Sequence, residues 1–123
     1  MIDEIRLACF ETGQDIPTTI GELMRCMYLS LSTCYAESIE EMASLTGRTY
    51  TSINIVGGGC QDSYLNELTT KACGIPVFAG PVEGTSLGNL IVQMIADDQI
   101  EDLQAARDMI RVSFDIDMVN PQE

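Results

Sequence analysis

Ile53-Asn54-Ile55-Val56-Gly57-Gly58-Gly59 opens a unit that closes with Ile75-Pro76-Val77-Phe78-Ala79. The first run, extended back to Tyr50, is rich in β-branched residues and is stopped by the triglycine, which is the pattern of a strand. Residues 62–73 read as a helix with Tyr64, Leu65, Leu68 and Ala72 inward, Lys71 in the last turn and Gly74 as its C-cap. Residues 75–79 read as a second short strand, followed by Gly80-Pro81. Strand, helix and strand in this order form a parallel crossover, expected to be right-handed. The fold class is therefore α/β. Two parallel strands alone leave both faces and both edges to be covered, so the chain reads as part of a larger sheet.

Outward from this unit the pattern is helical. Residues 2–12 place Ile2, Ile5 and Cys9 on one side, with Gly13 as a stop. Thr19 and Glu22 have the spacing of a capping box and open a long helix that ends at Gly47. Its apolar positions are Ile20, Leu23, Met24, Met27, Leu31, Cys34, Ile39, Met42 and Leu45, close to a helical period. The three methionines among them read as core rather than as cofactor contacts. Beyond the second strand, a helix from about 85 to 97 carries Leu87, Leu90, Ile91, Met94 and Ile95, and another spans about 102 to 112. Asp115, Asp117 and Glu123 then read as a solvated acidic tail, in preference to a metal pair at Asp115 and Asp117.

Composition narrows the partners. Six basic against nineteen acidic residues give a net charge of −13, which repels nucleic acid and anionic lipid. Small nucleotides stay open, because backbone N–H groups and Mg²⁺ hold phosphates without a lysine cluster. With 46% hydrophobic residues the 123-residue chain has material for one domain core, so global disorder is not expected. The absence of histidine removes imidazole bases, Ser-His and Cys-His nucleophile pairs and the commonest zinc ligands together. Five cysteines without a C-x-x-C spacing read as buried or free thiols of a reducing cytoplasm. A single bridge between Cys9 and Cys26, on consecutive helices, is the alternative. The acidic, amphipathic start is not a secretory signal, and apolar runs such as Leu90-Ile91-Val92 are too short to span a bilayer. A soluble, cytoplasmic protein is expected.

The triglycine is where chemistry could reside. Glycines let the backbone turn tightly and let a ligand lie against it, and the following helix start offers free N–H groups and a positive dipole end. The string is neither G-x-G-x-x-G, since Asp62 occupies the last glycine position, nor a P-loop. On these residues alone, a ligand-free strand-to-helix turn is an equal reading.

The wider string shifts that balance. Ile55-Val56-Gly57-Gly58-Gly59-Cys60-Gln61-Asp62-Ser63-Tyr64-Leu65-Asn66-Glu67-Leu68, then Ala72-Cys73-Gly74-Ile75-Pro76-Val77, then Ala79-Gly80-Pro81-Val82-Glu83-Gly84-Thr85-Ser86-Leu87-Gly88-Asn89, closely resembles the rhamnulokinases. These are members of the FGGY family of carbohydrate kinases, with an actin- and hexokinase-like ATPase fold. Gly21-Glu22-Leu23-Met24-Arg25-Cys26 resembles the start of that family's long helix.

The resemblance implies a partial ribonuclease H-like, actin-like ATPase domain: a long helix, then β-α-β-α with two parallel strands, plus terminal helices. Residues 1–123 would be the C-terminal part of the nucleotide-binding domain. Its first strands, the sugar-binding domain, the general-base aspartate and the phosphate loops would lie upstream. No catalytic residue and no metal ligand is matched here. The resemblance further implies an ATP- and Mg²⁺-dependent phosphoryl transfer to L-rhamnulose, with this chain forming the adenosine-side wall and giving no turnover by itself. The nucleotide would meet Gly57, Gly58 and Gly59, and Asp62 stands where the family commonly places an asparagine beside the adenosine. A carboxylate only accepts, whereas an amide also donates. It would take a hydrogen bond from the adenine amino group or a ribose hydroxyl. Glu83 reads as an acid at a helix N-terminus or as an orienting residue for the nucleotide loop, Gly84 and Gly88 as close-packing glycines, and Cys60 as a small buried residue or a reactive thiol. Two alternatives of other classes remain: a non-catalytic nucleotide-binding or regulatory module, and a truncated interaction domain that self-associates as a homo-oligomer.

Overall fold

The computed structural model describes residues 1–121. Helix α1 (Ile2–Glu11) is tied to the following loop by Arg6, whose guanidinium donates to the carbonyls of Pro17 and Thr18 at 2.9 and 3.2 Å. Helix α2 (Ile20–Thr46) starts on the expected capping box. The Thr19 hydroxyl accepts from the Glu22 N–H, and the Glu22 carboxylate accepts from the Thr19 N–H. Further bonds from the N–H and hydroxyl of Thr18, the former contributing most, hold the Glu22 carboxyl below its ordinary range. Gly47, at φ 66°, closes the helix in the left-handed conformation that glycine adopts without a Cβ clash.

Among the described residues the sheet has three strands, ordered β1 (Ile53–Ile55), β2 (Val77–Ala79) and β3 (Asp117–Val119). The expected crossover is present, with β1 and β2 parallel and Ile53 opposite Val77. The expectation of only two strands is corrected. Residues read as a solvated tail form β3, antiparallel to β2 with Val119 opposite Val77. Asp117 is exposed at the strand's end while Val119 faces inward, so a three-residue strand hides within an acidic stretch. Glu123, read with the same tail, lies outside the described residues. Pairing on both sides makes β2 the central strand, and Val77 and Ala79 are buried there.

Helix α3 (Ser63–Cys73) packs on β2 and β3, and α2 packs on α3. The inward face of α3 is polar, which corrects the sequence reading: Asn66, Thr69 and Thr70 are buried, while Tyr64 and Ala72 are exposed. Backbone carbonyls make this burial tolerable. The Thr69 hydroxyl donates to Leu65 O at 2.8 Å, Thr70 to Ile75 O at 2.7 Å and Asn66 Nδ2 to Cys60 O at 2.8 Å. The apolar stripe expected along α2 is covered only in part, since Ile20 is 80% and Leu45 79% exposed. Length explains this. A 27-residue helix runs about 40 Å, whereas the 11-residue α3 beneath it offers about 16 Å.

Helices α4 (Gly84–Ala96) and α5 (Leu103–Ser113) form a second cluster, in which Ile91, Ile100 and Ala106 are buried against Met94, Ile95, Ala105 and Ile110. Gly84 meets the close-packing expectation, because a Cβ there would stand 2.9 Å from Val56 Cβ. Gly88 does not, since a Cβ would meet nothing within 4 Å.

Candidate functional site

The triglycine lies where β1 ends. Gly57 takes φ 81° and ψ −172°, a conformation that side chains disfavour, and its N–H donates to Pro81 O at 3.2 Å. Gly80, just after β2, donates to Ile55 O at 2.8 Å. The two loops leaving the parallel strands are thus joined at the strands' carboxyl ends, the place where open α/β sheets bind ligands. Residues Gly58–Gln61 then form a 3-10 turn that leads into α3. The first N–H groups of such a turn have no acceptor within it. A Cβ on Gly58 or Gly59 would meet nothing within 4 Å, so the backbone surface there is open to a ligand.

Two helices begin at this end, α3 after Asp62 and α4 after Glu83. Their N-termini present positive dipole ends, which favour an anion such as a phosphate. Glu83 makes no side-chain cap bond and is exposed, so its position is that of an acid at a helix start.

Asp62 is engaged on both oxygens. Oδ1 accepts from the Leu65 N–H at 3.0 Å, capping α3, and Oδ2 accepts from the Tyr28 hydroxyl at 2.5 Å. The Tyr28 bond, followed by the backbone N–H bonds, holds the Asp62 carboxyl below its ordinary range. The same bond, with burial and the carboxylate's charge, pushes the Tyr28 hydroxyl up. The Tyr28 and Tyr64 rings stand 5.9 Å apart at 45°, a tilted aromatic pair beside the turn. The sequence reading missed both Tyr28 and the Pro81 carbonyl. Tyr28 lies 34 residues from Asp62 on a helix face counted as apolar, and no local spacing marks it.

Cys60 is buried and its carbonyl is held by Asn66, so its place is that of a small packed residue. Behind Gly59 lies a cavity of about 170 Å³, bounded by Tyr35, Ile53, Ile55, Leu65, Asn66 and Thr69. Asn66 Oδ1 is buried without a hydrogen-bond partner among the described residues. A wider groove, between the 13–18 loop and α2, is away from the triglycine and open to solvent. Among the described residues no three His, Cys, Asp or Glu side chains gather as metal ligands, and no helix is long and apolar enough to cross a membrane. All five cysteines are free, Cys34 is exposed, and Cys9 and Cys26 approach to 3.8 Å between sulfurs without a bridge. Burial, then the contact with Cys26, pushes the Cys9 thiol up, and burial does the same to Cys73.

These features define an α/β domain whose ligand-facing edge lies at the carboxyl ends of its parallel strands. Residues 1–96 match the C-terminal domain of the FGGY family of carbohydrate kinases, and the chain belongs to that family. The matched range includes both parallel strands, the triglycine and α4, while α5 and β3 lie beyond it. The chain is accordingly a sugar-kinase domain, of a class of phosphotransferases.

Proposed function

We propose that the chain forms the adenosine-side wall of the ATP site in a kinase that phosphorylates L-rhamnulose to L-rhamnulose 1-phosphate. In this reading residues 1–123 are the C-terminal part of the nucleotide-binding domain, completed by upstream strands, and the sugar is held by a separate domain. The observation that carries the nucleotide assignment is the open backbone at Gly58 and Gly59, flanked by the N-termini of α3 and α4. Gly57 sets the turn, Gly58 and Gly59 let the nucleotide approach the main chain, and Asp62 fixes the start of α3. Bound Mg-ATP supplies the transferable phosphoryl group. The residues here orient it, and positioning is a major source of rate in phosphoryl transfer. No metal ligand is assigned to this chain, so Mg²⁺ would be held through the phosphates and residues outside it.

The sugar assignment rests on the likeness of residues 55–89 to rhamnulokinases, and the cytoplasmic location on the five free thiols. The test is an assay of the complete gene product with L-rhamnulose and a panel of other ketoses, using Mg-ATP as donor. L-rhamnulose should show the highest kcat/KM. Preference for another ketose would remove the substrate assignment while leaving the nucleotide wall in place.

A further inference from the structure

Resting on the nucleotide reading above, we infer that Tyr28 is a positioning residue of the site: its hydroxyl secures the Asp62 carboxylate to α2 and keeps that negative charge from opposing a nucleotide on the glycine turn. Residues 57–59 have no side chains with which to hold themselves, and the Cys60 side chain is buried behind the turn. The turn is held through its main chain instead, at Gly57 by Pro81 O and at Cys60 by Asn66. Asp62 is the point at which it is joined to a second helix, because Tyr28 projects from α2.

The chemistry of this junction matters for an anionic ligand. A free carboxylate beside a phosphate repels it, and the repulsion is stronger where water is partly excluded. In this structure one carboxylate oxygen faces the Leu65 N–H and the other faces the Tyr28 hydroxyl. A donor on each oxygen lowers the charge presented outward and fixes the side chain's direction. Tyr64 packs against the Tyr28 ring, which restricts the ring and so aims the hydroxyl.

The experiment is calorimetric titration of wild type, Tyr28→Phe and the double variant Tyr28→Phe/Asp62→Asn with Mg-ADP, with circular dichroism to verify the fold of each. Tyr28→Phe keeps the ring against Tyr64 and removes only the hydroxyl. It should weaken Mg-ADP about 10-fold, the scale of losing a hydrogen bond to a charged group. The double variant should return to within about 3-fold of wild type, since a neutral amide still caps α3 and carries no charge for Tyr28 to restrain. Unchanged affinity in Tyr28→Phe would overturn the inference alone. Equal weakening in the single and double variants would also overturn it, because a purely packing role for Tyr28 is indifferent to the charge at Asp62. Absence of wild-type binding would remove the nucleotide reading, and the positioning role with it.

Discussion

Asp62 carries two duties that respond to acid in the same direction. Its carboxyl is held below the ordinary value by the Tyr28 hydroxyl and by the backbone N–H groups of Leu65 and Tyr64. A group whose folded value is depressed stabilises the fold above its unfolded value of roughly 4, and that contribution is lost as pH falls through the lower folded value. Urea denaturation between pH 6 and pH 2.5 should therefore show an acid-limb loss that is smaller in Asp62→Asn. At neutral pH, Asp62→Ala should cost about 1 kcal/mol through the missing helix cap. An unchanged acid limb in Asp62→Asn would mean that the Tyr28 and Leu65 bonds do not persist in solution. At this scale the sequence was partly legible. Asp62 stands out in the sequence because it occupies the position where the family commonly places an asparagine, but its acceptor role toward Tyr28 depends on how α2 crosses α3. Nothing in the residues between them encodes that crossing locally.

Helix α3 shows the same limit in a different form. Its C-terminal end was legible, since Gly74 caps it in a way that depends on near neighbours alone, whereas Asp62, read as its first residue, is its N-cap. Its buried face was not, because a count of apolar residues favours Tyr64 and Ala72 over Asn66, Thr69 and Thr70. Threonine hydroxyls that bond main-chain carbonyls can be buried like small apolar groups. Thr70 has the most consequential bond, to Ile75 O just before β2, and it also stands 3.3 Å from Val119 O in β3. Thr70→Val keeps the shape and removes the donor, so it should destabilise the fold by about 1–2 kcal/mol in urea denaturation. A change within error would mean that solvent reaches Ile75 O without help from Thr70. Strand β3 was hidden for a related reason. A strand of three residues that begins with an exposed aspartate lacks the alternation that marks longer strands, and its pairing with β2 is decided by contacts far away in sequence.

In the whole molecule, two clusters share the task of burial. One joins α2, α3 and the sheet, and the other joins α4 and α5 around Ile91, Ile100 and Ala106. Between them the carboxyl ends of β1 and β2 bring the triglycine and the Gly80-Pro81 loop together, with two helix N-termini opening beside them. The strand-helix-strand order behind this arrangement was legible in residues 53–79. The extent of apolar cover was not, because α2 has a periodic stripe along its full length while its neighbour covers under half of it. Met24, Leu31, Met42 and Leu45 accordingly retain substantial exposure along α2.

The central claim is that the open backbone of the glycine turn receives a nucleotide. Its most direct test is a titration of this chain with Mg-ADP, read by calorimetry and by backbone amide shifts, beside a Gly58→Val variant. Because a Cβ at Gly58 would meet nothing within 4 Å, the variant should fold as wild type does. Saturable binding in wild type, with shifts at Gly58, Gly59 and Ser63 and at least a 10-fold loss of affinity in the variant, is the expected result. Equal binding by the two proteins, or no shift at the turn up to millimolar Mg-ADP, would contradict the claim.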